Sequence, residues 1–136
     1  MNIAAETLDL AKKNGSVIAT AESCTGGMVV AALTDIPGSS AVVDRGFVTY
    51  SNAAKQQMLG VKAETLASHG AVSEPVAQEM AEGALAHSGA SLAVSITGIA
   101  GPGGSEHKPE GRVCFGLAQR GQPTQTETVE FGAPGR

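Results

Sequence analysis

Residues 73–98, SEPVAQEMAEGALAHSGASLAVSITG, hold the helix-to-strand transition that decides the fold. Ser73 stands as an N-cap, Glu74 and Pro75 occupy the first turn, and Val76, Met80, Ala84 and Leu85 recur on one face. That is the apolar stripe of a helix packed on a core. Ser88-Gly89 ends the period, and Ser91 to Thr97 follows as a short apolar run entering a glycine loop, Gly98 to Ser105. A run of that length, bounded by turn residues, reads as a buried central strand.

The alternation continues in both directions. Towards the N-terminus, Asn52 to Leu59 reads as a short helix ending at Gly60, and Gly46 to Tyr50 as a strand. A helix from Thr25 or Gly26 to about Leu33, closed by Asp35-Ile36-Pro37-Gly38, follows a strand at Ser16 to Thr20. Asn2 to Asn14 has near-helical apolar spacing and stops at Asn14-Gly15, a common helix ending. Towards the C-terminus, Val113 to Ala118 and Thr126 to Phe131 add two strands, the last at a sheet edge. The pattern predicts a single layered α/β domain whose functional groups collect where strand ends meet helix starts.

The 136 residues are enough for one real core, with 42% hydrophobic and 16% charged residues. One Tyr, three Phe and no Trp leave the core to Ala, Val, Leu and Ile, and leave little for stacking nucleobases. A net charge of −4 without a basic stripe argues against nucleic acid as the main partner. Apolar runs fall far short of the roughly 20 residues of a membrane span, and the N-terminal stretch carries acids unlike a signal peptide. Cys24 and Cys114 show no CxxC and no paired metal-ligand spacing, so neither a zinc site nor a disulfide framework is expected. A cytoplasmic protein with both thiols reduced is the expectation. So short a domain with little aromatic core is compatible with a homo-oligomer.

Three segments carry chemistry: Ala21-Glu-Ser-Cys-Thr-Gly-Gly27, Thr49-Tyr-Ser-Asn-Ala-Ala-Lys55 and Ser95-Ile-Thr-Gly-Ile-Ala-Gly-Pro102. In the first, Thr25, Gly26 and Gly27 open a helix, whose free N–H groups favour a phosphate or a developing oxyanion. Ser23 stands at that mouth as a nucleophile, although the segment departs from G-x-S-x-G, with Ala21 and Thr25 at the glycine positions. The bland reading is an N-cap followed by packing glycines. A serine needs a base. Lys55 falls in the first turn of its helix, where the dipole and burial both favour the neutral amine. Tyr50, at the preceding strand end, could relay a proton or orient the serine. In the alternative, Lys55 is a solvated lysine and Tyr50 a core residue. Thr97 and Gly98 head a loop that can present a hydroxyl and backbone donors, without the spacing of a phosphate loop. Cys24, beside Ser23, is a rival thiol nucleophile or a small buried hydrophobe.

The stretches TAESCTGG, TDIPGSS, RGFVTYSNAAK, LGV, HGAVSEPVA, SITGIAGPGG and FGAPGR, in this order, resemble the C-terminal domain of the competence/damage-inducible CinA proteins, the nicotinamide-nucleotide amidohydrolase family. The resemblance runs from Thr20 almost to the end. It implies an α/β/α sandwich that converts nicotinamide mononucleotide to nicotinate mononucleotide and ammonia, with no metal and no cofactor. It further implies Ser23 as nucleophile, Lys55 as its base and Tyr50 as an assisting group. Thr25, Gly26, Gly27, Thr97 and Gly98 are then binding or oxyanion groups, and Arg136 a phosphate partner. Larger CinA proteins carry an N-terminal pyrophosphatase domain, for which residues 1–136 have no room. Members also continue beyond FGAPGR into another helix, so the expectation is an uncovered apolar surface and Arg136 as a frayed terminus. A second reading is a nucleotide-binding or protein-interaction module in competence or DNA-damage responses, which has no use for Ser23, Tyr50 and Lys55 together. A phosphatase is disfavoured, since the sequence lacks an acidic cluster for a divalent metal.

Overall fold

The computed structural model describes residues 2–135. Helix α1 (Ile3–Asn14) is followed by β1 (Ile18–Glu22), α2 (Met28–Thr34), a 3-10 turn at Ser39–Ala41, β2 (Val43–Val48) and α3 (Asn52–Leu59). Then come α4 (Ala63–His69), α5 (Glu74–Ala86), β3 (Leu92–Gly98), β4 (Arg112–Gln119) and β5 (Gln125–Glu130). The strands form one sheet in the order β2-β1-β3-β4-β5. The β1–β2 and β1–β3 pairs are parallel, while β4 and β5 add antiparallel at the far side. Helices lie on both faces, so the expected three-layer α/β/α sandwich is the fold.

The ends of α1 and α3 and the Ser73 cap stand where the sequence placed them. Helix α2 starts at Met28 and not at Thr25 or Gly26, and two further caps appear. Asn2 accepts from Ala5 N–H at 2.8 Å to cap α1, which ends at Gly15 in the left-handed region. Ser51 and Ser73 cap α3 and α5 through their hydroxyls. Boundaries shift in two strands: β1 runs two residues later than Ser16 to Thr20, and β2 three residues earlier than Gly46 to Tyr50. Neither segment alternates, so pairing with neighbours sets the limits rather than the local pattern. Helix α4 went unrecognised in the sequence, because seven residues with one buried leucine give almost no period.

The core is divided by the sheet. On one face Leu8 and Ala11 of α1 and Leu33 of α2 pack with Ile18 and Val42. On the other, Val76, Met80 and Ala84 of α5 meet Ala19, Ala21 and Ala93 of the sheet. On the α1/α2 side, the paired residues Val94 and Leu117 are partly buried, as is Phe115. With alanines on both sides, α5 approaches the sheet and α3 closely, and two glycines make room. A Cβ at Gly116 would come within 2.6 Å of the Ala77 carbonyl oxygen of α5. One at Gly83 would stand 2.0 Å from the Leu59 carbonyl oxygen at the end of α3.

The β1–β3 boundary is where the connections diverge: the chain leaves β1 for β2 on one side and returns to β3 on the other. The carboxyl ends of β1, β2 and β3 therefore open around a crevice, the usual ligand position in open α/β sheets.

In a helix interior, Gly→Ala ordinarily stabilises by about 1 kcal/mol. At Gly83 the sign reverses, because the added methyl meets backbone and not a movable side chain. Denaturant titration of Gly83→Ala should show a loss of roughly 1–3 kcal/mol, the usual penalty of an overpacked core; unchanged or increased stability would contradict the close α3–α5 approach.

Candidate active site

Ser23 follows β1 directly, and its N–H donates to the Ile96 carbonyl at 2.9 Å, which ties it to β3. The turn after it is shaped by a residue that sequence reasoning passed over. Glu22, fully buried, aims its carboxylate at the start of α2. Oε1 accepts from the Thr25 hydroxyl (2.5 Å), Gly27 N–H (3.2 Å) and Val29 N–H (2.9 Å), and Oε2 accepts from Val30 N–H at 2.9 Å. A buried carboxylate is stable with this many donors, and a helix N-terminus supplies them.

This arrangement corrects the expectation for Thr25, Gly26 and Gly27. The Thr25 hydroxyl and Gly27 N–H are held by Glu22, and Gly26 N–H donates to the Ser23 carbonyl at 3.1 Å, so these three donors are not open to an anion. A second negative charge at the start of α2 would also meet the carboxylate already there. The glycines serve the turn instead, with φ of 60° at Gly26 and 105° at Gly27.

Lys55 is the fourth residue of α3, and side chains on a helix point back towards its N-terminus. The ammonium end accordingly lies over the strand end that precedes the helix. Nζ stands 3.1 Å from Ser23 Oγ, 3.1 Å from the Thr49 carbonyl oxygen and 3.2 Å from that of Tyr50. The residue is 1% exposed and has no carboxylate ion partner among the described residues. Burial pushes its pKa below the ordinary lysine value, opposed by the smaller effects of Cys24 and Glu106.

Three acceptors around one nitrogen suit both protonation states. As an ammonium, Nζ has three protons for three oxygens. As a neutral amine, it keeps two protons for the Thr49 and Tyr50 carbonyls and turns its lone pair to the Ser23 hydroxyl. A proton can therefore pass between serine and lysine without rearrangement of either side chain.

Tyr50 enters this cluster by its backbone. Its carbonyl receives the Lys55 contact and lies 3.5 Å from Ser23 Oγ, whereas the residue as a whole is 63% exposed and lines the cleft. Among the described residues the phenol makes no hydrogen bond, and the contact of Tyr50 with Lys55 is made by its carbonyl. Thr97 and Gly98 lie across the cleft. The Thr97 hydroxyl donates to the Ala71 carbonyl at 3.0 Å, and Gly98 leaves room for Cys24, whose Sγ would sit 3.1 Å from an added Cβ. Arg136 lies outside the described residues.

The cleft has a volume of about 340 Å³. It is lined by the buried Ser23 and Lys55, by Thr97 and Gly98, and by the loop from Ile99 to Glu106. The first half of that loop, Ile99 to Pro102, belongs to the third segment that the sequence singled out, whereas the part of Gly103 to Glu106 was missed because a polar glycine-rich stretch reads as a solvated face. Among the described residues, no group of three or more His, Cys, Asp or Glu is placed to hold a metal ion, and no helix is long and apolar enough to cross a membrane.

Comparison with known proteins gives the site its relatives. The model of the CinA C-terminal domain matches residues 1–136. The chain is 65% identical over 108 residues to the nicotinamide-nucleotide amidohydrolase PncC of Escherichia coli (strain K12), covering 79% of this chain and 66% of that protein. It is 60% identical over 122 residues to a CinA-like protein of Chlorobium phaeobacteroides (strain BS1), covering 88% of this chain but 29% of the much longer relative. The crystal structure of the competence/damage inducible protein CihA from Agrobacterium tumefaciens matches with a TM-score of 0.93 at 51% identity, over 98% of this chain and 81% of that one. The chain belongs to the CinA C-terminal domain family.

Proposed function

We propose that this domain hydrolyses the carboxamide of nicotinamide mononucleotide, giving nicotinate mononucleotide and ammonia, with Ser23 as nucleophile and Lys55 as general base. The observation that carries the reading is the 3.1 Å approach of a buried lysine nitrogen to the serine hydroxyl in a ligand-sized cleft. The amidohydrolase relative supplies the substrate class.

In the acylation step the neutral Lys55 amine takes the Ser23 proton as Oγ attacks the carboxamide carbon. The carbonyl electrons move to oxygen, and the intermediate collapses as Lys55 returns the proton to the leaving nitrogen, releasing ammonia. Water then adds to the nicotinoyl ester, its proton again passing to Lys55, and Oγ leaves as the reprotonated serine. The carbonyls of Thr49 and Tyr50 hold the amine in place through both halves. Thr97 and Gly98 form the substrate-facing wall, and Arg136 remains the candidate phosphate partner. No cofactor is required by this chemistry. Thr25, Gly26 and Gly27 act on the site by fixing the Ser23 turn. A plain binding module has no use for an amine buried against a serine.

Ammonia release from nicotinamide mononucleotide should fall by roughly 10³-fold or more in Ser23→Ala, as for loss of other serine nucleophiles. Lys55→Met should lose roughly 10²–10⁴-fold, the range of a general base. Cys24→Ala should keep turnover; its loss there, with Ser23→Ala active, would transfer the nucleophile to the thiol.

Stability carries the sign of the Lys55 shift. Its pKa is lowered in the folded state, so between that value and the ordinary 10.5 the unfolded chain binds the extra proton. The parent should therefore gain stability relative to Lys55→Met as pH rises through that window, and the difference should level off beyond it. Thermal melts of the pair over pH check this, and a parent that loses stability relative to Lys55→Met as pH rises would contradict a lysine whose pKa burial lowers.

A further inference from the structure

The loop that lines the cleft carries a turn built against its own local preference. Ser105 and Lys108 exchange backbone hydrogen bonds, N–H of Ser105 to the Lys108 carbonyl at 2.9 Å and N–H of Lys108 to the Ser105 carbonyl at 2.7 Å. The two residues between them, Glu106 and His107, have φ of 50° and 63°. A two-residue hairpin with both central φ values positive asks for Asn-Gly or Asp-Gly. Glu-His occupies it instead. Conformations of this kind are retained where the surroundings hold them and a side chain is wanted there.

The surroundings do hold it. Lys108 Nζ donates to the carbonyls of His69 and Val72, at 2.7 Å and 2.6 Å, and so clasps the turn to the chain between α4 and α5. The Glu106 carboxylate and the Lys108 ammonium both pack on Gly70, where an added Cβ would come within 2.7 Å and 2.9 Å of them. With Lys108 committed to carbonyls, Glu106 has no ion pair among the described residues. Glu106 lines the same cleft as Ser23, and the field of its carboxylate reaches Lys55.

We infer that Glu106 is the charge-selecting residue of the cleft, its carboxylate favouring a ligand ring that carries a positive charge, such as an N-ribosyl pyridinium, over the same ring without one. The inference rests on the proposed pyridine-nucleotide substrate, and the sign of the local charge deepens it. When Lys55 is neutral, as a base must be, Glu106 is the remaining formal charge among the described cleft residues. A cationic pyridinium whose carboxamide reaches Ser23 then meets an anion in the cleft. The dihydropyridine form of the same nucleotide has the same size and phosphate but no ring charge, and gains nothing from it.

The test is calorimetric binding of nicotinamide mononucleotide and of its dihydronicotinamide form, in a Ser23→Ala background that prevents turnover. Glu106→Gln removes the charge at constant size. Glu106→Asn removes it with a residue that the turn prefers. The account expects the preference for the cationic form to fall roughly five- to tenfold in both variants, as for one unit charge at short range across a partly solvated cleft. The melting temperature of Glu106→Asn should stay level or rise, a result that separates selection from any structural role. An unchanged preference in both variants would overturn the role of Glu106 and leave the deamidase reading intact. Charge-selective binding with no ammonia release by the Ser23-containing protein would remove the deamidase reading and leave Glu106 in place. Binding of neither form would overturn both.

Discussion

A lysine nitrogen held among three oxygens, without a carboxylate, is the interaction on which the rest of this site depends. An ammonium so deeply buried loses its hydration, and without an opposite charge in contact nothing restores it in full; the field of Glu106 offsets the burial only in part. The Thr49 and Tyr50 carbonyls are dipoles rather than charges, so they satisfy N–H groups without holding the nitrogen in its protonated form. A carboxylate in the place of either carbonyl would have made a stable ion pair and a poor base. The distribution of acids agrees with this: the nearest one in sequence to Ser23, Glu22, is turned away to the start of α2.

That displacement of Glu22 links the fold to the site. Its carboxylate satisfies Val29 and Val30 N–H groups that would otherwise be unpaired at the helix start, and it draws residues 23–27 into a tight turn. Ser23 is thereby presented at the end of β1 facing α3. The parallel order of β2, β1 and β3 brings the second partner, because the chain after β2 must start its helix beside the end of β1. Lys55 then needs only the ordinary backward lean of a helical side chain to arrive. One sheet topology and one buried cap place Ser23 and Lys55 together from residues 32 apart.

Much of this was legible in the residues. Period and caps located α1, α3 and α5, and strand-ending polar segments marked the three loops that meet at the cleft. Lys55 was accessible through an electrostatic argument about the first turn of a helix, which needs no tertiary information. Tyr50 shows the limit of such reasoning: a side chain was the natural candidate, and the contact that reaches Lys55 is a carbonyl, which every residue has. Glu22 was illegible for a different reason. A carboxylate that caps a helix from seven and eight residues upstream follows no local capping pattern, since the intervening turn decides its reach. The same holds for Glu106, whose significance appears only once the hairpin backbone and the Lys108 clasp are seen together.

The central claim is that burial against Ser23 makes Lys55 give up its proton more readily than an ordinary lysine. Its titration can be read directly from the side-chain nitrogen and Cε resonances of selectively labelled protein, assigned by comparison with Lys55→Met. The account predicts a midpoint displaced below the ordinary 10.5, in the direction that burial imposes. A midpoint at or above that value would mean that Lys55 stays an ammonium beside Ser23, and the serine–lysine mechanism would not stand.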